Sequence, residues 1–225
     1  MNKSSLVLAT NNPTVRDRQF SRRIKTSILL TAIFLFTATP ALAHHPTGGE
    51  TPQNFLQGFL SGIGHPVVGI DHLTFVIAIG LLALLLKKGW WIPLGFIVAS
   101  IAGTGIHLME LNLPAPELFI SASVLLFGIM IILKNRPNLG LITGLAAVAG
   151  IFHGYAYGES IVGAEPATLV AYLAGFALIQ GAIAIGTFYL AKSWNNSQTG
   201  KLAIRLAGLI ILGVGTAFFG SAVMG

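Results

Sequence analysis

The chain has no cysteine and little charge. The first absence excludes disulfides, thiolate metal sites, a cysteine nucleophile and cysteine-held iron–sulfur clusters. The second is quantitative. Only 9% of the 225 residues are Asp, Glu, Lys or Arg, where a soluble domain carries about 25%. Acids are the scarcer sign, 7 against 13 Lys and Arg. Apolar residues take their place: 54% of the chain is hydrophobic and the mean hydropathy is +0.79. This composition excludes a soluble globular domain, a disordered chain and a disulfide scaffold. HExxH, GxSxG, P-loop and GxGxxG contexts are also missing, which removes ATP as a directly bound energy source.

The formal charge of +6 and the pI near 9.9 suggest an anionic partner only until the charges are placed. Lys3, Arg16, Arg18, Arg22, Arg23 and Lys25 crowd the start, opposed by Asp17 alone. From residue 44 onward seven bases meet six acids. The basicity belongs to a leader. A basic stretch ending at Lys25 precedes an apolar run from Ile28 to about Ala38, then Pro40 and Ala41-Leu42-Ala43. This is the order of a secretory signal with an A-x-A cleavage site. Residues 1–43 are therefore expected to be a cleaved signal peptide. Residues 44–225 form the membrane domain, beginning His44-His45 outside the cytoplasm.

Polar or Pro/Gly-rich breaks divide the remainder into six expected spans: about 66–86, 91–109, 117–133, 139–157, 167–191 and 202–223. Each is near the length that crosses a bilayer. None alternates as a barrel strand would. The expected fold is all-α: a polytopic membrane bundle of six transmembrane helices. Lys87 and Lys88 follow span 1, Lys134 and Arg136 follow span 3, and Lys192, Lys201 and Arg205 flank the last connection. The loops after spans 2 and 4 hold Glu110, Glu117, Glu159 and Glu165 but no base. The positive-inside rule places the basic loops in the cytoplasm of a cell membrane, with both mature termini outside. Frequent glycines, such as Gly103 and Gly175, suit close helix packing.

An Asp at a membrane helix centre costs roughly 2.5–3.5 kcal/mol, so intramembrane polar groups are informative. In this topology they gather on the outer half: His65, Asp71 and His72 in span 1, His107 near the end of span 2, Glu117 at the start of span 3, His153 in span 4 and Glu159 beyond it. On an unbroken helix His65 and His72 lie about 10 Å apart along the axis. That is too far for one coordination shell. Pro66 favours a helix start at or after His65, and Gly64 and Gly69 permit a bend. His65 then folds over the site or forms an entry ligand. Asp71 either binds an ion or orients a histidine. Plainer roles exist: His107 as a packing residue, Glu110 and Glu165 as loop acids, His44 and His45 as a weak ion-collecting tail. Imidazole with carboxylate and no thiolate suits Ni²⁺, Co²⁺, Zn²⁺, Cu²⁺ or Mn²⁺, and fits K⁺ or an organic solute poorly.

These residues resemble the HupE/UreJ family of nickel/cobalt permeases, accessory proteins for hydrogenase and urease. The resemblance rests on four ordered segments. They are His65-x5-Asp71-His72, Glu117-Leu118-Phe119-Ile120-Ser121-Ala122-Ser123, Phe152-His153-Gly154-Tyr155-Ala156-Tyr157-Gly158-Glu159 and Tyr172-Leu173-Ala174-Gly175-Phe176. Two family histidines of the third segment are Tyr155 and Tyr157 here, and 180–186 lacks the histidine often found in the fifth span. The resemblance implies uptake of Ni²⁺ or Co²⁺ into the cytoplasm, with the ion as cargo and no permanent cofactor. His65, Asp71 and His72 would be the main ligands, with His153, Glu117 and Glu159 supporting. A nickel hydrogenase or urease would be the indirect recipient.

Gly62-Ile63-Gly64-His65, Gly69-Ile70-Asp71-His72 and Gly150-Ile151-Phe152-His153 share a Gly-Ile-x-His pattern. It suggests an inverted repeat with spans 1 and 4 as counterparts and the metal between them. Thr74, Ser100, Ser123 and Gln180 are candidates to line the route inward. A second reading is an intramembrane zinc hydrolase. In it His72, His153 and His107 hold the metal and Asp71 or Glu159 acts as general base. A third is a metal sensor or assembly subunit.

Overall fold

The structure, a computed structural model, describes residues 51–224, all within one compact unit. The expected leader and the His44-His45 pair lie outside the described residues. Seven α-helices follow in order: α1 Phe55–Val68, α2 Ile70–Leu85, α3 Trp91–Leu108, α4 Pro116–Ile132, α5 Leu139–Gly158, α6 Pro166–Trp194 and α7 Gln198–Met224. A short 3₁₀ turn, Glu159–Ile161, follows α5. No strand occurs among the described residues. By length and composition four helices can cross a membrane, and α1 with α2 makes a fifth if that bent pair is one span. α4 is apolar but has 17 residues. The chain is a multi-pass membrane protein.

Local sequence sets the boundaries. The Asn54 side chain accepts from Gln57 N at 3.0 Å and caps α1. Asn138 does the same for α5 through Leu141 N at 2.9 Å. Each satisfies one orphan donor of a first turn. Pro116 and Pro166 open α4 and α6, where a missing N–H costs nothing.

The first span departs from the sequence expectation. Its helix does not start at or after His65. It starts at Phe55 and carries Pro66 inside. Proline removes the N–H that would reach the Gly62 carbonyl. The helix tolerates this because it ends within the same turn, at Val68. Gly69 is then extended (φ −71°, ψ 106°), and α2 leaves at 81° to α1. The bend permitted at Gly69 is therefore present, one turn after the proline.

Glycines fix three close helix pairs. A Cβ at Gly58 or Gly62 of α1 would strike the Thr168 or Tyr172 carbonyl of α6, and one at Gly175 would strike the Phe59 carbonyl. In the α3·α5 pair the same holds for Gly150 against Phe96, Gly154 against Ser100 and Gly103 against Ile151. In the α4·α7 pair Gly128 meets Leu212, Gly208 meets Ile131 and Gly215 meets Leu125. From Gly58·Thr168 to Gly62·Tyr172, and from Gly150·Phe96 to Gly154·Ser100, the numbers rise together, while in the third pair one rises as the other falls. So α1 runs parallel to α6, α3 parallel to α5, and α4 antiparallel to α7. In lipid, where helices gain little from expelling water, such backbone approach supplies the attraction. Helix α2 packs against α3, α4, α6 and α7, with Phe75, Val76, Ala78, Ile79 and Leu82 fully buried.

Candidate functional site

The break at Gly69 turns the first span back on itself. His65 lies in the last turn of α1, and Asp71 and His72 in the first turn of α2, all buried. The two imidazole centroids are 5.8 Å apart, not the ~10 Å axial separation of a straight helix. Gly69 has to be glycine for this, because a Cβ there would strike the His72 ring. From α5 comes His153, 0% exposed, with Nδ1 2.8 Å from Nδ1 of His72.

The hydrogen bonds assign the protons. Ser123 of α4 donates its hydroxyl hydrogen to the Ile120 carbonyl at 2.6 Å. It can therefore only accept from Nε2 of His153, at 3.1 Å. Neutral His153 then carries hydrogen on Nε2, and its Nδ1 accepts from Nδ1–H of His72. The lone pair of His72 falls on Nε2. Asp71 Oδ1 accepts the backbone N–H of His72 at 2.8 Å. Its place in the first turn of α2 sets its charge against the positive helix end, which eases burial of a carboxylate.

A second group surrounds His65. Its Nδ1 is 2.8 Å from Ser160 Oγ and 3.3 Å from the Tyr172 hydroxyl. Tyr172 gives its hydrogen to the Tyr157 carbonyl at 2.8 Å, so toward His65 it can only accept. The Tyr157 ring touches both histidines, with centroids 5.0 Å from His65 and 4.7 Å from His72. The Tyr157 hydroxyl makes no hydrogen bond, and neither does either amide atom of fully buried Gln180. The two side chains are within electrostatic reach of each other, and Asp71 is within reach of the same hydroxyl. Phe75 and Phe96 pack on the His153 ring at 4.7 and 5.4 Å.

The structure thus brings His65, Asp71, His72 and His153 together. It leaves Glu117 and Glu159 exposed at the starts of α4 and of the 3₁₀ turn. His107 packs elsewhere, its ring 4.5 Å from Tyr155 and its Cβ facing Gly158. Its buried Nδ1 makes no hydrogen bond. The His72, His153 and His107 trio weighed for a zinc hydrolase is not assembled. Among the described residues no group of three or more His, Asp or Glu side chains is arranged to hold a metal. The imidazoles bond to one another and to hydroxyls instead. Sequence reasoning missed Ser160, and it took Tyr172 only as part of a motif. Both reach His65 across about half the chain, and no spacing rule carries that far.

The family model described as HupE / UreJ protein matches residues 32–218. The curated protein named Protein HupE from Rhizobium leguminosarum bv. viciae is 26% identical over 196 residues, 84% of this chain and 95% of that one. No solved structure matches.

Proposed function

Because the chain belongs to the HupE/UreJ family, whose members are hydrogenase and urease accessory proteins of nickel and cobalt transport, we propose that it is a permease carrying Ni²⁺ or Co²⁺ into the cytoplasm. One observation carries this reading: two buried imidazoles, His72 and His153, share a single proton 2.8 Å across, with His65 and Asp71 beside them. A borderline divalent ion competes with that proton for the same nitrogens. Two nitrogens about 2.1 Å from one ion stand roughly 3 Å apart or more. The pair need part only slightly to admit it. Asp71 supplies the negative charge that an ion shedding water requires.

The same reading gives the topology. With α1–α2 counted as one broken span and α4 as a short one, six spans alternate in direction. The parallel α1·α6 and α3·α5 pairs and the antiparallel α4·α7 pair agree with that alternation. The basic loops then face the cytoplasm and the histidine cluster opens outward, on the capture side for uptake. Membrane potential favours inward cation movement. The ion is cargo, and a nickel hydrogenase or urease is its indirect recipient.

Uptake of radioactive nickel by cells expressing the chain, at matched membrane amounts, tests this. The expected result is uptake competed by unlabelled cobalt and abolished by Asp71→Asn and by His72→Ala. Uptake of nickel and cobalt equal to that of cells lacking the protein would overturn it.

A further inference from the structure

The glycine contacts contain a symmetry. Gly58 and Gly62 of α1 meet Thr168 and Tyr172 of α6, while Phe59 meets Gly175. Gly150 and Gly154 of α5 meet Phe96 and Ser100 of α3, while Ile151 meets Gly103. One constant shift in residue number carries α1 onto α5, and a second carries α3 onto α6. The two shifts hold for all three contacts at once. In the third pair the Gly208·Ile131 contact answers the Gly215·Leu125 contact to within one residue, with Gly128·Leu212 at the centre. That pair is its own counterpart under exchange of α4 and α7. Because α4 and α7 are antiparallel, an axis that exchanges them lies across the helices, not along them. This is the geometry of an inverted repeat. The register differs from the Gly-Ile-x-His alignment suggested by the sequence: it pairs Gly58 with Gly150, not Gly62 or Gly69. The two shifts differ by about the length of α2 with its turns, so α2, which carries Asp71 and His72, is an insertion in the first half.

The shift that maps α1 onto α5 makes His65 the counterpart of Tyr157. These two rings touch, at 5.0 Å. Counterparts that touch lie on the exchange axis, so the axis passes through the ion site. On α3 and α6 the counterpart of Gln180 is Leu108, next to His107. His107 has a buried Nδ1 with no hydrogen bond, and Gln180 a buried amide with none. Leu108 puts no polar group at the equivalent place, so the orphaned amide of Gln180 breaks the symmetry of the repeat. Each buried group without a partner calls for an explanation. A station that a passing ion fills supplies one for Gln180.

We propose that the bundle is an inverted repeat with its ion site on the pseudo-two-fold axis, and that Tyr157, on that axis, passes a partly dehydrated divalent cation to Gln180, the inward station through which it leaves. Phenol and amide oxygens are neutral donors, weaker than imidazole for these ions. They suit release. The station rests on the permease reading; the repeat does not.

The absence of cysteine allows specific spin labelling of the full chain. Leu56 and Val98 are exposed, as are their counterparts Val148 and Val170. The distance in L56C/V98C is expected to match that in V148C/V170C. Unrelated distances, with and without nickel, would overturn the repeat. For the station, Tyr157→Phe keeps the ring and removes only a hydroxyl near Gln180, so a purely structural role predicts nearly unchanged uptake. The expected result is a loss of roughly tenfold, the scale set by removing a metal-site partner. Gln180→Leu is expected to lose as much and Gln180→His to retain uptake. Unchanged uptake in Tyr157→Phe would overturn the station. No uptake by the unmutated protein would overturn the permease reading instead, and the label distances would still judge the repeat.

Discussion

The two ends of α2 are buried alike and built from opposite materials. Its first turn holds Asp71 and His72 at 7% and 1% exposure, and its middle holds Phe75, Val76, Ile79 and Leu82 at 0%. The first turn is organised by directed bonds: Asp71 to a backbone amide, His72 to His153, His153 to Ser123. The middle is organised by contact alone, down to Gly80 against the backbone of Ala184. A buried polar network is specific only while every member is satisfied. A buried apolar face tolerates exchange if its volume is kept. Function is therefore expected to be fragile at one end of α2 and stability at the other.

The largest effect should separate those two properties. His72→Ala and His153→Ala are expected to abolish metal uptake while the protein still accumulates in the membrane. Leu82→Ala, less than three turns along the same helix, is expected to cost about 2–5 kcal/mol of stability through the cavity it leaves. The Leu82→Ala protein that survives in the membrane should transport at the normal rate per molecule. Uptake per immunodetected molecule, with thermal stability in detergent, reads both. Equal loss of specific uptake in all three variants would erase the distinction between the ends of α2.

The next effect tests the proton assignment. Ser123→Ala removes the acceptor that holds hydrogen on Nε2 of His153. The ring is then free to take the other tautomer and to rotate. Loss of such an orienting partner costs roughly 10–100-fold in metal affinity or activity. The apparent affinity for nickel is expected to weaken more than the maximal uptake rate, and Ser123→Thr, which keeps the hydroxyl, should retain both. An unchanged concentration dependence in Ser123→Ala would show that His153 needs no such hold.

The difference between directed bonds and contact also explains what the sequence discloses. The histidines and Asp71 stand out because an ionisable group in an apolar run has a cost that demands a reason. Their order along alternating spans predicts a shared side, and the structure brings His65, Asp71, His72 and His153 together. The helical bundle and several later helix starts follow from apolar runs beginning after Pro116, Asn138 and Pro166, whereas the start of α1 after Asn54 does not. The first span departs from its sequence expectation at Pro66, which lies inside α1. Whether a proline starts a helix or sits in its last turn depends on where the next break falls, and the packing of α1 on α6 decides that. Ser160, Tyr172 and Tyr157 gain their roles only from helices meeting across the bundle. The glycines were legible as packing residues in general, yet nothing local told Gly103, which faces the Ile151 carbonyl, from Gly105, which has nothing within 4 Å.

The smallest effect lies in that last distinction and belongs to the apolar end of α2. Gly80 and Gly186 are both interior helix glycines close to the α2·α6 crossing. A Cβ at Gly80 would lie 2.7 Å from the Ala184 carbonyl oxygen and 3.0 Å from Thr187 Cβ, while one at Gly186 would meet nothing within 4 Å. Replacing an unconstrained helix glycine by alanine gains about 0.5–1 kcal/mol in propensity. Gly186→Ala is therefore expected to raise the thermal midpoint slightly. Gly80→Ala has the same propensity gain, but it must push α2 away from α6. Backbone atoms cannot rotate aside as a flexible side chain can, so the displacement passes along α2 to the turn that holds Asp71 and His72. The expected outcome is a lower midpoint together with weaker nickel affinity. A Gly80→Ala protein with lower stability and normal affinity would show that the two ends of α2 are mechanically independent, and that its first turn is held by its hydrogen bonds alone.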